Sequence, residues 1–522
     1  MGPLETRRHV GRVNWAILTP MLPASLRLFP ALLLAAALAP QSALAAPDCS
    51  QIQKIQLPDI RFTQVTAEDS HCEAEGVIGS EIGFIIALPP KTDWNGKLLM
   101  TGGGGFAGSY SSRGFGTALK RGYAAVMTDT GHRASGVRAD WARGHVERLV
   151  NYGYLGVHRT AVTAKAVLAQ FYGNRPDYSY FTGCSNGGRQ ALMEAQRFPQ
   201  DFNGIIAGAP AHNFSRIMAA FAYNMQRIFP DPDDPRHPVV TPDNLRLLQS
   251  SILEQCDASD GVSDNILNDP RTCDFSLNRL PLCPGGEPAA HCLTVAQREA
   301  IAAVYEGPRN QDGPIFRGFP LGGESERGGW DGWITGPNAS LLNSYNEPSL
   351  QFAFGTQAFK HLVFEDPDWD YTAYDFTTFE QDAARLRSVA DAVDPNLTGF
   401  KAAGGKLILW HGWADPALTA LASVDYYEAA RSADPAIDET LRLFLLPGVL
   451  HCSGGPGPSR VDWLSAIENW VEKDQAPETL TAARIEDGQT TMTRPLCVHP
   501  QRAHYRGEGD VNKAANFECR AP

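Results

Sequence analysis

The 522-residue sequence has no Cys-x2-Cys pair, no Gly-Lys-Ser/Thr loop and no surplus of basic residues. The first absence argues against a structural zinc site, whose thiolates come at that spacing. The second removes a phosphate-binding loop of the Walker type. The third argues against nucleic acid and anionic membranes as partners, because 45 Lys and Arg face 58 Asp and Glu, a net charge of −13. Without residues 1–45, which hold four Arg and one Glu, the balance is −16. No internal repeat or low-complexity tract stands out, and 43% hydrophobic with 20% charged residues is the composition of an ordinary globular protein.

A long apolar run is missing as well. "LFPALLLAAALAP" at 28–40 falls short of the ~20 residues a membrane-spanning helix needs, so no stable membrane association is expected. Arg27 before it and "ALA" at 43–45 after it complete the three parts of a secretory signal, with cleavage near Ala45 or Ala46. The lead before Met21 is long, so Met1 and Met21 are both candidate starts, and "TRRHV" at 6–10 is similar to a twin-arginine signal. The expected location is secreted or periplasmic.

Ten cysteines follow that leader, and an even count in an exported chain implies disulfides. Proximity suggests Cys49–Cys72, Cys256–Cys273, Cys283–Cys292 and Cys497–Cys519. Cys184 and Cys452 are left over, one beside Ser185 and the other beside His451.

Short apolar runs end in glycine or turn residues at 97–105, 123–132, 178–183, 204–210, 406–412 and 441–448, with helix-like stretches at 156–173 and 187–199. Alternation of this kind predicts an α/β fold with a parallel sheet and right-handed crossovers. It stops between about 212 and 400, a segment rich in proline and aromatics. Nearly 190 residues without structure would be odd in a compact protein. The expected organisation is a leader at 1–45, a core at 46–211, an inserted lid domain at 212–400 and the rest of the core at 401–522.

Gly183-Cys184-Ser185-Asn186-Gly187 satisfies G-x-S-x-G where a strand passes into a helix, the context of a nucleophile elbow. A serine N-cap is the alternative. A serine at its ordinary pKa needs a base and an orienting carboxylate, which in α/β-hydrolases follow as acid, then histidine. "LILWHGWADPALT" supplies Asp415 and "LRLFLLPGVLHCSGG" supplies His451, each after a strand. His411 is the competing base, although its place at a strand end suits a packing or turn role. Asp129 and Asp425 compete as acids, but neither occupies the loop after the penultimate strand. The Asn186 N–H and a Gly104 N–H in "TGGGGFAG" at 101–108 are the candidate oxyanion donors.

Taken together, GCSNGGRQ, HGWADP and LHCSGG resemble the tannase and feruloyl esterase family of α/β-hydrolases, which includes bacterial hydrolases of terephthalate monoesters. The resemblance spans essentially the whole mature chain. It implies a Cys184–Cys452 bridge tying the serine's turn to the histidine's loop. It also implies a calcium site in the lid, with the carboxylates of Asp257, Asp260 and Asp264 and the carbonyls of Val262 and Ile266 as ligands. Composition alone favours a solvated acidic turn there, and the spacing departs from an EF-hand.

The activity so implied is secreted, acyl-enzyme hydrolysis of esters of aromatic acids such as ferulate or gallate. No organic cofactor is expected, and the expected partner is a small aromatic ester. Trp330, Trp333, Phe352, Phe354 and Phe364 are candidate walls for the acid ring. Hydrolysis of a terephthalate monoester is the alternative and requires a cation, for which Arg327, Lys360 and Arg385 are candidates. A non-catalytic polyphenol- or carbohydrate-binding protein on a hydrolase fold is the alternative of another class.

Overall fold

The computed structural model describes residues 48–336 and 347–522, and residues 46–522 form one compact unit. The expected leader at 1–45 lies outside the described residues. No described helix is long and apolar enough to cross a membrane.

Nine strands form the central sheet: β1 (Ile60–Ala67), β2 (Cys72–Ile78), β3 (Ile82–Leu88), β4 (Lys97–Thr101), β5 (Ala124–Thr128), β6 (Tyr178–Ser185), β7 (Gly204–Pro210), β8 (Lys406–Gly412) and β9 (Leu441–Leu446). Their order is β1-β2-β3-β5-β4-β6-β7-β8-β9. From β5 to β9 every pairing is parallel, and all six strands expected from apolar runs lie here. The first three strands pair antiparallel, joining through β3 to β5, so the sheet is mixed rather than wholly parallel.

The pleat sorts the apolar residues into two cores. Leu98, Met100, Leu407 and Leu409 face one layer with Val157, Ala161, Ala164 and Leu168 of α1 (Gly156–Tyr172), and with Leu192 of α2 (Asn186–Arg197). Leu99 and Ile408, one position along, face the other layer with Tyr180, Phe444 and Trp470. Strands sandwiched this way are buried on both faces, which is why they read as unbroken apolar runs.

Between β7 and β8 the chain leaves the sheet. This inserted stretch carries helices α3 (Phe214–Ile228) and α4 (Leu350–Ala358), and two more at Pro242–Cys256 and Val295–Glu306. The last two start in capping boxes, Thr241 with Asn244 and Thr294 with Gln297, which satisfy first-turn N–H groups and fix where each begins. The segment holds its own apolar cluster around Met225, Leu248, Ile301 and Trp330. A second cluster joins α3 to core loops through Phe106, Trp141 and Tyr152. All five disulfides are formed: Cys49–Cys72, Cys184–Cys452, Cys256–Cys273, Cys283–Cys292 and Cys497–Cys519.

Candidate active site

Ser185 sits between β6 and α2 with φ 64° and ψ −125°, a backbone conformation costly for a residue with a Cβ. The turn closes because its flanks are bare: a Cβ on Gly183 would lie 2.5 Å from the Gly187 carbonyl carbon. Asn186 opens α2, so its N–H has no intrahelical acceptor and stands at the positive end of the helix. The Ser185 hydroxyl has no hydrogen-bond partner among the described residues, and Ser185 lines an apolar cleft together with His451.

Asp415 follows β8 and is buried. Its Oδ1 accepts the N–H groups of Ala417 (2.8 Å) and Leu418 (2.9 Å). Its Oδ2 accepts from His451 Nδ1 at 2.8 Å and from His411 Nε2 at 3.2 Å. Burial alone would raise this carboxyl, but the two imidazoles outweigh it and hold Asp415 well below the ordinary carboxylate range. His451 therefore keeps Nε2 for the cleft while Nδ1 is held by a charged oxygen.

His411 is not only a packing residue. Its Nε2 faces the Leu418 carbonyl (2.9 Å) as well as Asp415, and its Nδ1 meets the Ser423 hydroxyl at 2.8 Å. With two acceptors at Nε2, the proton belongs there and Nδ1 accepts. His411 is thus a second donor to Asp415. Its i, i+4 spacing from the acid was the available signal. The competing acids are occupied elsewhere: Asp425 pairs with Arg317 (2.6 Å), and Asp129 binds the Gly83 and Gly131 N–H groups and Arg133.

The loop after β4 has most of its donors engaged. Gly102 N–H bonds Thr182 O, Gly103 N–H bonds Gln190 Oε1 and Phe106 N–H bonds Gly136 O. Among the described residues, no acceptor meets the N–H of Gly104 or Gly105. Gly105 lines the cleft with Asn186, and Gly104 precedes it.

The cleft walls are Phe106, Ala211, Phe214, Met218, Phe221, Trp333, Phe354, Ala417 and Leu418. Of the five expected rings, Trp333 and Phe354 are here, stacked at 6.2 Å, with Trp333 edge-on to His451 at 4.8 Å. Trp330 packs on Tyr305, Phe352 on Phe229 and Tyr371, and Phe364 on Trp369, so these three serve the inserted segment's interior. Phe106 and the α3 residues were missed: Phe106 stands inside the glycine loop, where only the glycines were singled out, and the α3 residues belong to no motif. Arg327, Lys360 and Arg385 do not line the cleft, and Arg385 pairs with Glu365 at 2.6 Å. A larger groove of about 570 Å³ lies on the inserted segment near Phe275, Arg298 and Tyr305, but it holds none of the candidate catalytic groups.

The acidic loop is partly gathered. Asp260, Val262, Asp264 and Ile266 line one small pocket, and Asp257, which is not among its walls, accepts the Asp264 N–H at 3.3 Å. Burial, and then the charges of Asp264 and Asp257, push Asp260 up to about 6. Two crowded carboxylates are oxygen donors of the kind a hard divalent cation takes. Arg494, from an antiparallel hairpin of Thr479–Glu486 and Gln489–Cys497, pairs with Asp264. Among the described residues, the trio whose ligand atoms lie within 4.8 Å of one another is instead His158, Glu194 and Asp201. That cluster already has a cation, since Lys165 Nζ lies 3.6 Å from Asp201 Oδ1.

Residues 63–520 match the family model for tannase and feruloyl esterase. The chain is 34% identical over 515 residues to the mono(2-hydroxyethyl) terephthalate hydrolase of Piscinibacter sakaiensis, covering 87% of this chain and 85% of that protein. It is 28% identical over 451 residues to feruloyl esterase B of Aspergillus niger, covering 82% of each. The solved structure of feruloyl esterase B from Aspergillus oryzae superposes with a TM-score of 0.81 at 24% identity, covering 90% of this chain and all of that one, which establishes the shared α/β-hydrolase fold.

Proposed function

The chain belongs to the tannase and feruloyl esterase family and is a carboxylic ester hydrolase, and from that premise we propose that it cleaves esters of uncharged aromatic acids through an acyl-serine intermediate. The observation that carries this reading is the cleft itself: Ser185 and His451 lie among Phe106, Phe214, Phe221, Trp333 and Phe354, with no charged side chain among its described walls.

Ser185 Oγ attacks the ester carbonyl as His451 Nε2 takes its proton, and Asp415 steadies the imidazolium at Nδ1. The tetrahedral oxyanion is met by the Asn186 N–H and by Gly104 or Gly105. Collapse breaks the bond to the alcohol, which leaves with the proton from His451. Water then attacks the acyl-serine, giving its proton to His451, which returns it to Ser185 as the aromatic acid departs.

The terephthalate reading is favoured by the 34% identical relative. The lining opposes it, because a distal carboxylate would be desolvated with no cation among the described walls. On one preparation, kcat/KM for methyl ferulate should exceed that for a terephthalate monoester by at least about tenfold, with methyl gallate and chlorogenate as further comparisons. A terephthalate preference would overturn the uncharged-acid reading.

Residues 212–400 act in this reading as the lid that supplies Trp333 and Phe354. A calcium ion held by Asp260, Asp264, Val262 and Ile266, with Asp257 drawn in, would neutralise the crowded carboxylates and tie the loop together without touching the reaction. Chelation should then lower the thermal midpoint and added Ca²⁺ restore it by mass action. No shift on chelation, with no metal by elemental analysis, would leave an acidic turn balanced by Arg494. Five disulfides support export, since such bonds persist in oxidising compartments.

A further inference from the structure

Arg189 lies in the first turns of α2, four residues after Ser185, and is fully buried. No carboxylate forms an ion pair with it among the described residues. The carboxylate of Asp391, the acid that acts on it from a distance, is bound to the Ser215 N–H and hydroxyl, both at 2.7 Å. The guanidinium is spent on oxygens of uncharged groups. Nη1 donates to Gly153 O (2.8 Å) and Ala390 O (3.2 Å), Nη2 to Tyr152 O (3.0 Å), and Nε to Asn186 Oδ1 (2.8 Å). Its flat face lies 4.6 Å from the Tyr152 ring centroid.

The bond to Asn186 has a directional consequence. Arginine can only donate, so the amide atom facing Nε must be the oxygen. The Tyr152 hydroxyl, 3.0 Å from the same Oδ1, also lies 3.2 Å from Gly105 O and shares its single proton between the two. With Oδ1 held there, Nδ2 is turned the other way, where it donates to Gly103 O at 2.9 Å. In a trans peptide the carbonyl and the following N–H point in opposite directions. Anchoring Gly103 O to Asn186 therefore sets the direction of the Gly104 N–H. Asn186 carries one oxyanion donor on its backbone and orients the neighbouring strand of donors with its side chain.

We propose that Arg189 is a positioning residue for the oxyanion site: it decides which end of the Asn186 amide faces the glycine loop, and so couples the donor on α2 to those of the loop after β4. This rests on Ser185 being the nucleophile. Simple charge complementarity makes the opposite forecast for one substitution. In Asn186→Asp, the buried cation gains a carboxylate, which should favour folding. The same change places a second oxygen against Gly103 O where a donor stood, and Arg189 keeps that carboxylate ionised. Stability and turnover should then part company.

The test compares wild type, Asn186→Asp and Arg189→Lys on a neutral aryl ester. It adds the affinity for an aryl trifluoromethyl ketone, which forms a tetrahedral adduct with serine, and the affinity for the product acid. In Asn186→Asp, kcat should fall roughly 10²–10³-fold with ketone affinity falling in parallel, while KM and product-acid affinity change by less than about threefold. The thermal midpoint should be unchanged or higher. Arg189→Lys keeps the charge but cannot present a fork to four acceptors, so it should lower kcat in the same pattern. Added to Asn186→Ala it should cost little more, because it acts through Asn186.

Retention of kcat within about threefold by Asn186→Asp, additive losses in the double variant, or a parallel fall in product-acid affinity and midpoint would each overturn the proposal. If Arg189→Lys does not fold, Asn186→Asp alone decides. A Ser185→Ala control keeps the two levels apart: turnover surviving in that variant would remove the nucleophile, not merely the positioning role.

Discussion

Ser185→Ala is expected to lower kcat by roughly 10⁴-fold or more, and His451→Ala by a similar factor, while the double variant loses little beyond either single change. The reason lies in how the groups depend on one another. A serine hydroxyl at its ordinary pKa attacks an ester only as its proton leaves, and an imidazole beside an unreactive alanine has nothing to deprotonate. Asp415 holds His451 at Nδ1 by a 2.8 Å bond and is itself held by two N–H groups and His411, so the base keeps its orientation when the serine is lost. Both variants should keep the wild-type circular dichroism spectrum and thermal midpoint to within a few degrees. Steady-state turnover of an aryl ester checks the result. Near-normal kcat in Ser185→Ala would remove the acyl-serine mechanism, whereas additive losses would mean that the two residues do not act as a unit.

Opening the Cys184–Cys452 bridge should produce the second largest effect, and chiefly on rate. The bond spans a sequence separation of 268, and chain-entropy arguments assign such a loop more than the ~4.7 kcal/mol of a 100-residue one, although measured values usually fall below that. Four other disulfides still brace the fold. What the pair uniquely does is fasten the residue before Ser185 to the residue after His451. Cys452 itself has φ 61°, so the histidine's loop, like the elbow, is held in a backbone conformation that few side chains favour. Freed from the tether, the imidazole can drift from the serine, and a displacement of about 1 Å can cost about 10²-fold in rate. The Cys184→Ala, Cys452→Ala variant should therefore lose most of its kcat at a temperature where circular dichroism still reports a folded protein. Loss of activity only in step with unfolding would make the bridge a stabiliser and nothing more.

Much of the fold was legible because the six parallel strands are buried on both faces and read as apolar runs. The first three strands were missed, although β3, buried along its whole length, was as readable an apolar run as the other six. β1 has no fully buried residue, and its Ile60, Phe62 and Val65 are only partly covered. β2 alternates, and its Cys-Glu-Ala-Glu-Gly-Val-Ile pattern, buried at every second position, could have been read as a half-covered strand. The rings of the inserted segment were harder: Trp330 and Trp333 are three residues apart on one short helix, yet only Trp333 reaches the cleft, since Trp330 is taken up by Tyr305.

By itself the sequence determined the local chemistry of this protein: a strand-to-helix turn built for an exposed serine, an acid and a histidine each after a strand, a glycine loop, and four pairs of cysteines close in sequence. These follow from short-range rules, in which a few neighbouring residues dictate the backbone and what it can offer. Only the tertiary structure decided the rest. It gave Asp415 a second histidine and brought Phe106, Phe214, Phe221, Trp333 and Phe354 around Ser185. It also set a buried arginine against the Asn186 amide. The cleft walls depend on which side chains meet across long stretches of chain, and even the near-neighbour contacts of His411 with Asp415 and of Arg189 with Asn186 are chosen by burial and hydrogen-bond satisfaction rather than by local pattern alone.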